Sequence, residues 1–120
     1  MATKRILVVD DEEMVCSLAC RMLAFKGHTV FGANGGREAL DMLKEQIPDL
    51  ILSDIKMPDV GGFALLRAVR SLGYQMPFVG MSGHLRGEDG EEMDAFIQKP
   101  FRMQTLVDIL GQALAGQPVA

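Results

Sequence analysis

Two hydrophobic patterns alternate along the 120 residues. Short apolar runs, several of them β-branched, stand at "RILVV", "HTVFG", "DLILS", "PFVGMS" and "AFIQ". Runs of this length between turn residues and acids read as buried strands. Between them, apolar residues recur at helical spacing. Val15, Leu18, Ala19, Met22 and Leu23 form one stripe within residues 12–26, which Gly27 stops. Ala39, Leu40, Leu43 and Ile47 form a second stripe, and Phe63, Leu66, Val69 and Leu72 a third. Leu106, Val107, Leu110 and Leu114 form the last.

Strand–helix alternation repeated five times predicts an α/β domain whose parallel sheet is covered on both faces. Right-handed crossovers make it a doubly wound, flavodoxin-like five-stranded sheet, with 2-1-3-4-5 the common order. The fourth crossover, Gly83 to Asp94, departs from this regularity. It holds Gly83, Gly87 and Gly90 together with Glu88, Asp89, Glu91, Glu92 and Asp94. Glycines weaken a helix and clustered acids repel, so a shortened fourth helix of one or two turns from near Glu88, or a mobile loop, is expected. No linker or repeat divides the chain, so residues 1–120 read as a single domain with a core of about 4–115 and no output domain.

Composition narrows the function. Apolar content of 48% and charged content of 23% suit an ordinary globular protein. A net charge of −4 offers nothing to nucleic acid. No apolar run approaches the roughly 18 residues of a membrane span, and "MATKR" followed by four apolar residues is no signal peptide. A cytoplasmic location follows as the expectation. Cys16 and Cys20, one helical turn apart with no further ligands at matching spacing, read as reduced packing thiols.

In such sheets the functional crevice opens at the carboxyl ends of the strands. The first strand delivers Asp10 and Asp11 there, the third Asp54, the fourth Ser82 and the fifth Lys99, followed by Pro100. Three carboxylates a few ångströms apart repel by roughly 4 kcal/mol per pair at an effective dielectric of 20. Mg²⁺, a hard cation that accepts carboxylates, waters and phosphoryl oxygens, relieves that repulsion. With Lys99 and Ser82 able to contact phosphoryl oxygens, the layout is one for phosphoryl transfer, and Asp54 is the natural nucleophile. Taken singly, each residue has a plainer reading: "DDEE" can start a helix, and Asp54 can belong to a turn.

"ILVVDDEE", "DLILSDIKMPDVGG", "PFVGMSG" and "FIQKPF", in this order, resemble the signature of receiver domains of two-component response regulators, over about residues 4–115. The resemblance implies that Asp54 accepts a phosphoryl group from a histidine kinase or phosphotransfer protein. It implies that Asp10, Asp11 and Asp54 hold Mg²⁺, Asp11 as a direct ligand, with the backbone carbonyl of Lys56 completing the set. Ser82 takes the place of the switch hydroxyl, Phe96 that of the aromatic switch residue (often Tyr), and Lys99–Pro100 that of a cis peptide. Lys56 and His84 flank the approach of hydrolytic water and are candidates for setting the phosphoryl lifetime, against the alternative that both are solvated surface residues. Met14, Pro100 and Phe101 are candidate kinase contacts, although Met14 could equally belong to the core. The turn Val60-Gly61-Gly62 replaces the family's usual acidic or Asp-Gly turn and is permissive for positive φ.

The implied protein is a phosphoacceptor switch rather than a turnover enzyme. It would bind an unknown downstream protein as a monomer or a phosphorylation-dependent dimer. A receiver of a hybrid sensor kinase is the alternative, since "FIQKPF" resembles the endings of such receivers, while "MATKR" favours a free-standing chain. A Mg²⁺-dependent phosphatase with an aspartyl-phosphate intermediate fits less well, because "DDEE" lacks its nucleophile–spacer–acid arrangement. A pseudo-receiver fits less well too, because no acid, hydroxyl or lysine is missing.

Overall fold

A computed structural model describes residues 3–83 and 93–116. Its strands are β1 (Arg5–Val9), β2 (Thr29–Ala33), β3 (Leu50–Asp54), β4 (Phe78–Ser82) and β5 (Ala95–Gln98). Its helices are α1 (Glu13–Phe25), α2 (Gly36–Leu43), α3 (Gly62–Ser71) and α4 (Met103–Leu114). The five strands are parallel and lie in the order β2-β1-β3-β4-β5, the doubly wound arrangement that the alternation predicts. The shortened helix expected from near Glu88, and His84, lie outside the described residues.

β1 and β3 are flanked on both sides, and successive residues feed opposite cores. Ile6, Val8, Leu50 and Leu52 face Cys16, Ala19 and Leu23 of α1 and Leu106 and Leu110 of α4. Leu7, Val9 and Ile51 face Ala39 and Leu43 of α2 and Leu65, Leu66 and Val69 of α3. Unbroken apolar runs are therefore what these central strands require.

The helical stripes shift in places. Leu18 is exposed, and Cys16 takes the core position on α1, because its small side chain fits against the backbone of β1 and β2. Ile47 and Leu72 are also exposed: α2 ends at Leu43 and α3 at Ser71, so neither residue is carried round onto the packed face. Gly27, with φ at 93°, ends α1 in the left-handed region as expected. The glycines after "MPD" act differently from the expectation. No residue there has positive φ, and Gly62 is required by close approach. A Cβ on it would stand 2.6 Å from the Asp54 carbonyl oxygen.

The start of β5 is pinned to β4. Asp94 N–H donates to the Phe78 carbonyl at 3.0 Å, and the Asp94 carboxylate accepts from Phe78 N–H at 2.8 Å. Arg70 of α3 reaches the same carboxylate at 3.5 Å. At the other end, Lys99 N–H donates to the Ser82 carbonyl at 2.8 Å.

Candidate functional site

Asp10 directly follows β1, Asp54 closes β3, Ser82 closes β4 and Lys99 directly follows β5. Because β1, β3, β4 and β5 are neighbours, their carboxyl ends deliver these side chains to one edge of the sheet. Asp10 is fully buried, and Asp54 and Ser82 are almost so. Lys99 Nζ lies 2.8 Å from Asp10 Oδ2 and 3.2 Å from Asp54 Oδ2, bridging the two carboxylates. The remaining oxygens accept from backbone: Asp10 Oδ1 from Glu12 N–H and Asp54 Oδ1 from Ile55 N–H, each at 2.9 Å. No buried side-chain polar atom among the described residues lacks a partner. The Lys99–Pro100 peptide is cis.

The electrostatics follow from this packing. Burial holds the Asp54 carboxyl above the ordinary range, and the Asp10 charge pushes the same way. Lys99 opposes both without cancelling them. For Lys99 itself, burial works against the ammonium, but hydrogen bonds and charge from Asp10 and Asp54 more than offset it and raise its pKa.

One acid outside the expected set also lies close to Asp10 and Asp54. Carboxylate oxygens of Asp10, Glu12 and Asp54 lie within 4.8 Å of one another. Asp11 is exposed and instead lines an adjoining cavity of about 380 Å³, with Arg37 and Glu38 of α2 and Met57, Pro58 and Asp59 of the β3–α3 loop. Glu12, exposed like Asp11, is thus a further acid close to Asp10 and Asp54 that hydropathy does not single out. It belongs to the "DDEE" run, and its backbone N–H donates back to Asp10 Oδ1. The donor set consists of hard carboxylate oxygens crowded at one point, which fits a divalent cation such as Mg²⁺.

Around this centre, Lys56 is exposed two residues beyond Asp54, and Phe96 is half-buried against the α2–α3 side of the sheet. Met14, 85% exposed, is not core. Phe101 is half-buried on the α1–α4 side, and Pro100 is exposed. The two cysteines are free. The neighbouring Cys20 thiol and burial push the Cys16 pKa up, and Cys16 in turn lowers that of Cys20. No helix among the described residues is long and apolar enough to cross a membrane.

Residues 6–111 match the family described as the response regulator receiver domain. Response regulator MprA of Mycolicibacterium vanbaalenii is 36% identical over 109 residues, which cover 86% of this chain and 47% of that protein. Sensor histidine kinase RcsC of Salmonella typhimurium is 34% identical over 115 residues, covering 92% of this chain and 12% of the kinase. The chain therefore spans half or less of these curated relatives. The solved structure of chemotaxis protein CheY4 of Vibrio cholerae superposes with a TM-score of 0.89 at 28% identity, covering 93% of this chain and 99% of that one.

Proposed function

The chain belongs to the response regulator receiver domain family of two-component signalling, a family of phosphoacceptor switches, and from that premise we propose that Asp54 is the acceptor. Receiver domains as a class exchange phosphoryl groups with histidine kinases or phosphotransfer proteins and bind Mg²⁺ at an acidic pocket. In the proposed reaction an Asp54 carboxylate oxygen attacks the phosphorus of a phosphohistidine. An O–P bond forms, the P–N bond breaks, and the electron pair leaves with the donor imidazole. Hydrolysis of the acyl phosphate later returns Asp54 and inorganic phosphate.

The observation that carries this reading is the bridging of Asp10 and Asp54 by Lys99 at 2.8 and 3.2 Å. An ammonium so held keeps a carboxylate available as nucleophile and stands ready for the charge of an arriving phosphoryl group. Asp10 and Asp54, with Asp11 or Glu12 and the Lys56 carbonyl, would hold Mg²⁺. When bound, the ion would neutralise phosphoryl oxygens during transfer. Ser82 then turns toward the phosphoryl group and Phe96 follows, shifting the population of a second state. The reading sets this exchange in the cytoplasm, in keeping with two free thiols.

Beryllofluoride or acetyl phosphate with Mg²⁺ tests the proposal. The wild type gains one phosphoryl mass from acetyl phosphate, and Asp54→Ala does not. A wild type that neither gains that mass nor binds Mg²⁺ refutes the reading. Mg²⁺ titration of Asp11→Asn and Glu12→Gln separates the two candidate third acids. Dephosphorylation of Lys56→Ala and His84→Ala tests the proposed control of lifetime, and unchanged rates in both remove it.

A further inference from the structure

Gly80 lies two residues before Ser82 on β4 and pairs in register with Phe96 on β5. It is a glycine in the middle of a buried strand, where a side chain would ordinarily pack. The space is not empty. A Cβ built on Gly80 would stand 2.6 Å from Met93 Sδ and 3.1 Å from both Cδ1 and Cε1 of Phe96. Thioether and ring edge therefore share the hollow that the glycine leaves. Met93 is buried, Phe96 is half-buried, and both pack on the α2–α3 side of the sheet. Sulfur–aromatic packing of this kind is favourable, and the flexible methionine adapts its shape to the ring.

We propose that Gly80 and Met93 are positioning residues for Phe96: the hollow over Gly80 seats the ring against β4, and the Met93 thioether fixes how deeply it sits. The inference rests on the reading of Ser82 and Phe96 as the switch pair and adds what sets their balance. Phe96 has no hydroxyl to anchor it by a hydrogen bond, so its place depends on packing alone. A ring already seated on β4 needs little movement to turn toward Ser82. Bulk at residue 80 unseats it and disfavours the phosphorylated arrangement, whereas loss of bulk at residue 93 deepens the seat.

The test uses the whole chain carrying fluorophenylalanine, with the Phe96 signal assigned through Phe96→Leu and its exposure read with a soluble paramagnetic agent. Without beryllofluoride, Gly80→Ala increases exposure of the ring. Met93→Ala decreases it, and Gly80→Ala/Met93→Ala returns it to near the wild-type value. A ring equally protected in wild type and Gly80→Ala overturns the proposal. Should Gly80→Ala fail to fold, an unchanged ring in Met93→Ala overturns it alone. With Mg²⁺ present, Gly80→Ala weakens beryllofluoride binding by at least about fivefold, the lower range of coupling between linked sites. A displaced ring with unaltered beryllofluoride affinity overturns its part in switching. A wild type that does not bind beryllofluoride instead overturns Asp54 as acceptor, and the ring measurements still decide the seat.

Discussion

Replacing Lys99 by methionine keeps the length of the side chain and removes its charge. In the wild type that charge is 2.8 Å from Asp10 and 3.2 Å from Asp54. At an effective dielectric of 20, contacts of these lengths attract by about 6 and about 5 kcal/mol before desolvation is counted. Burial of the three groups takes back much of this, and removing one partner of a buried pair nets a loss of about 3–5 kcal/mol. Because Lys99 keeps 17% of its side-chain surface and Asp54 10%, the lower end applies, about 3 kcal/mol at pH 7. The pH dependence identifies the cause. Lys99 is the group that restrains the raised Asp54 pKa, so without it the carboxyl rises further. As the pH falls through that raised value, Asp54 takes a proton, one of the two charges that Lys99 compensated disappears along with its repulsion of Asp10, and the deficit shrinks. Urea unfolding followed by circular dichroism between about pH 4 and pH 7.5, with unchanged m, measures this. A deficit under about 1 kcal/mol at pH 7, or one equal at both ends of the range, refutes the reasoning.

Asp54→Asn moves in the opposite direction. A carboxyl held above its unfolded pKa contributes stability at low pH and loses it as the pH rises through the folded value. The variant is therefore more stable than wild type at pH 7, by on the order of 1 kcal/mol, and the gap closes in acid; equal midpoints at pH 7 would contradict this. Asp94→Ala strips the Phe78 N–H of its 2.8 Å carboxylate acceptor and Arg70 of its carboxylate contact, leaving Arg70 the Tyr74 carbonyl. It costs about 1–2 kcal/mol by denaturant melt. Gly32→Ala brings a Cβ to 2.9 Å from Cys16 Sγ and 3.3 Å from Cys20 Sγ. It costs about 1–3 kcal/mol, part of which is recovered in Gly32→Ala/Cys16→Ala.

Much of this arrangement is legible before any coordinates, because a parallel sheet imposes a rule on its sequence. Strands buried on both faces must be continuously apolar, so the polar residues that end them, Asp10, Asp54, Ser82 and Lys99, stand out and share one edge. What escapes is set by local backbone direction. In "DDEE" four acids follow one another, and hydropathy cannot tell which of them the turn into α1 sends inward. Asp10 is the buried one; its Oδ1 accepts from Glu12 N–H, and Glu12 and Asp11 both stay exposed, Glu12 beside Asp10 and Asp54 and Asp11 beside the α2 cavity. The same limit explains Leu18, Ile47 and Leu72: periodicity marks a stripe, but the ends of a helix and the choice between Cys16 and Leu18 depend on what the facing strands present. The role of Gly80 is invisible in one dimension, since Met93 and Phe96 approach it only through the pairing of β4 with β5.

That pairing has a mechanical consequence. The β4–β5 ladder is clamped at both extremities, by Asp94 on Phe78 at one end and by the Lys99 amide on the Ser82 carbonyl at the other. A strand held so cannot ratchet along its neighbour without breaking both clamps. Phe96, between them, is free only about its own side-chain torsions. On the proposed reading of Phe96 as the switch residue, a signal arriving at the acid cluster would therefore leave as a rotation on a stationary frame, with the sheet as the stator against which that rotation is read.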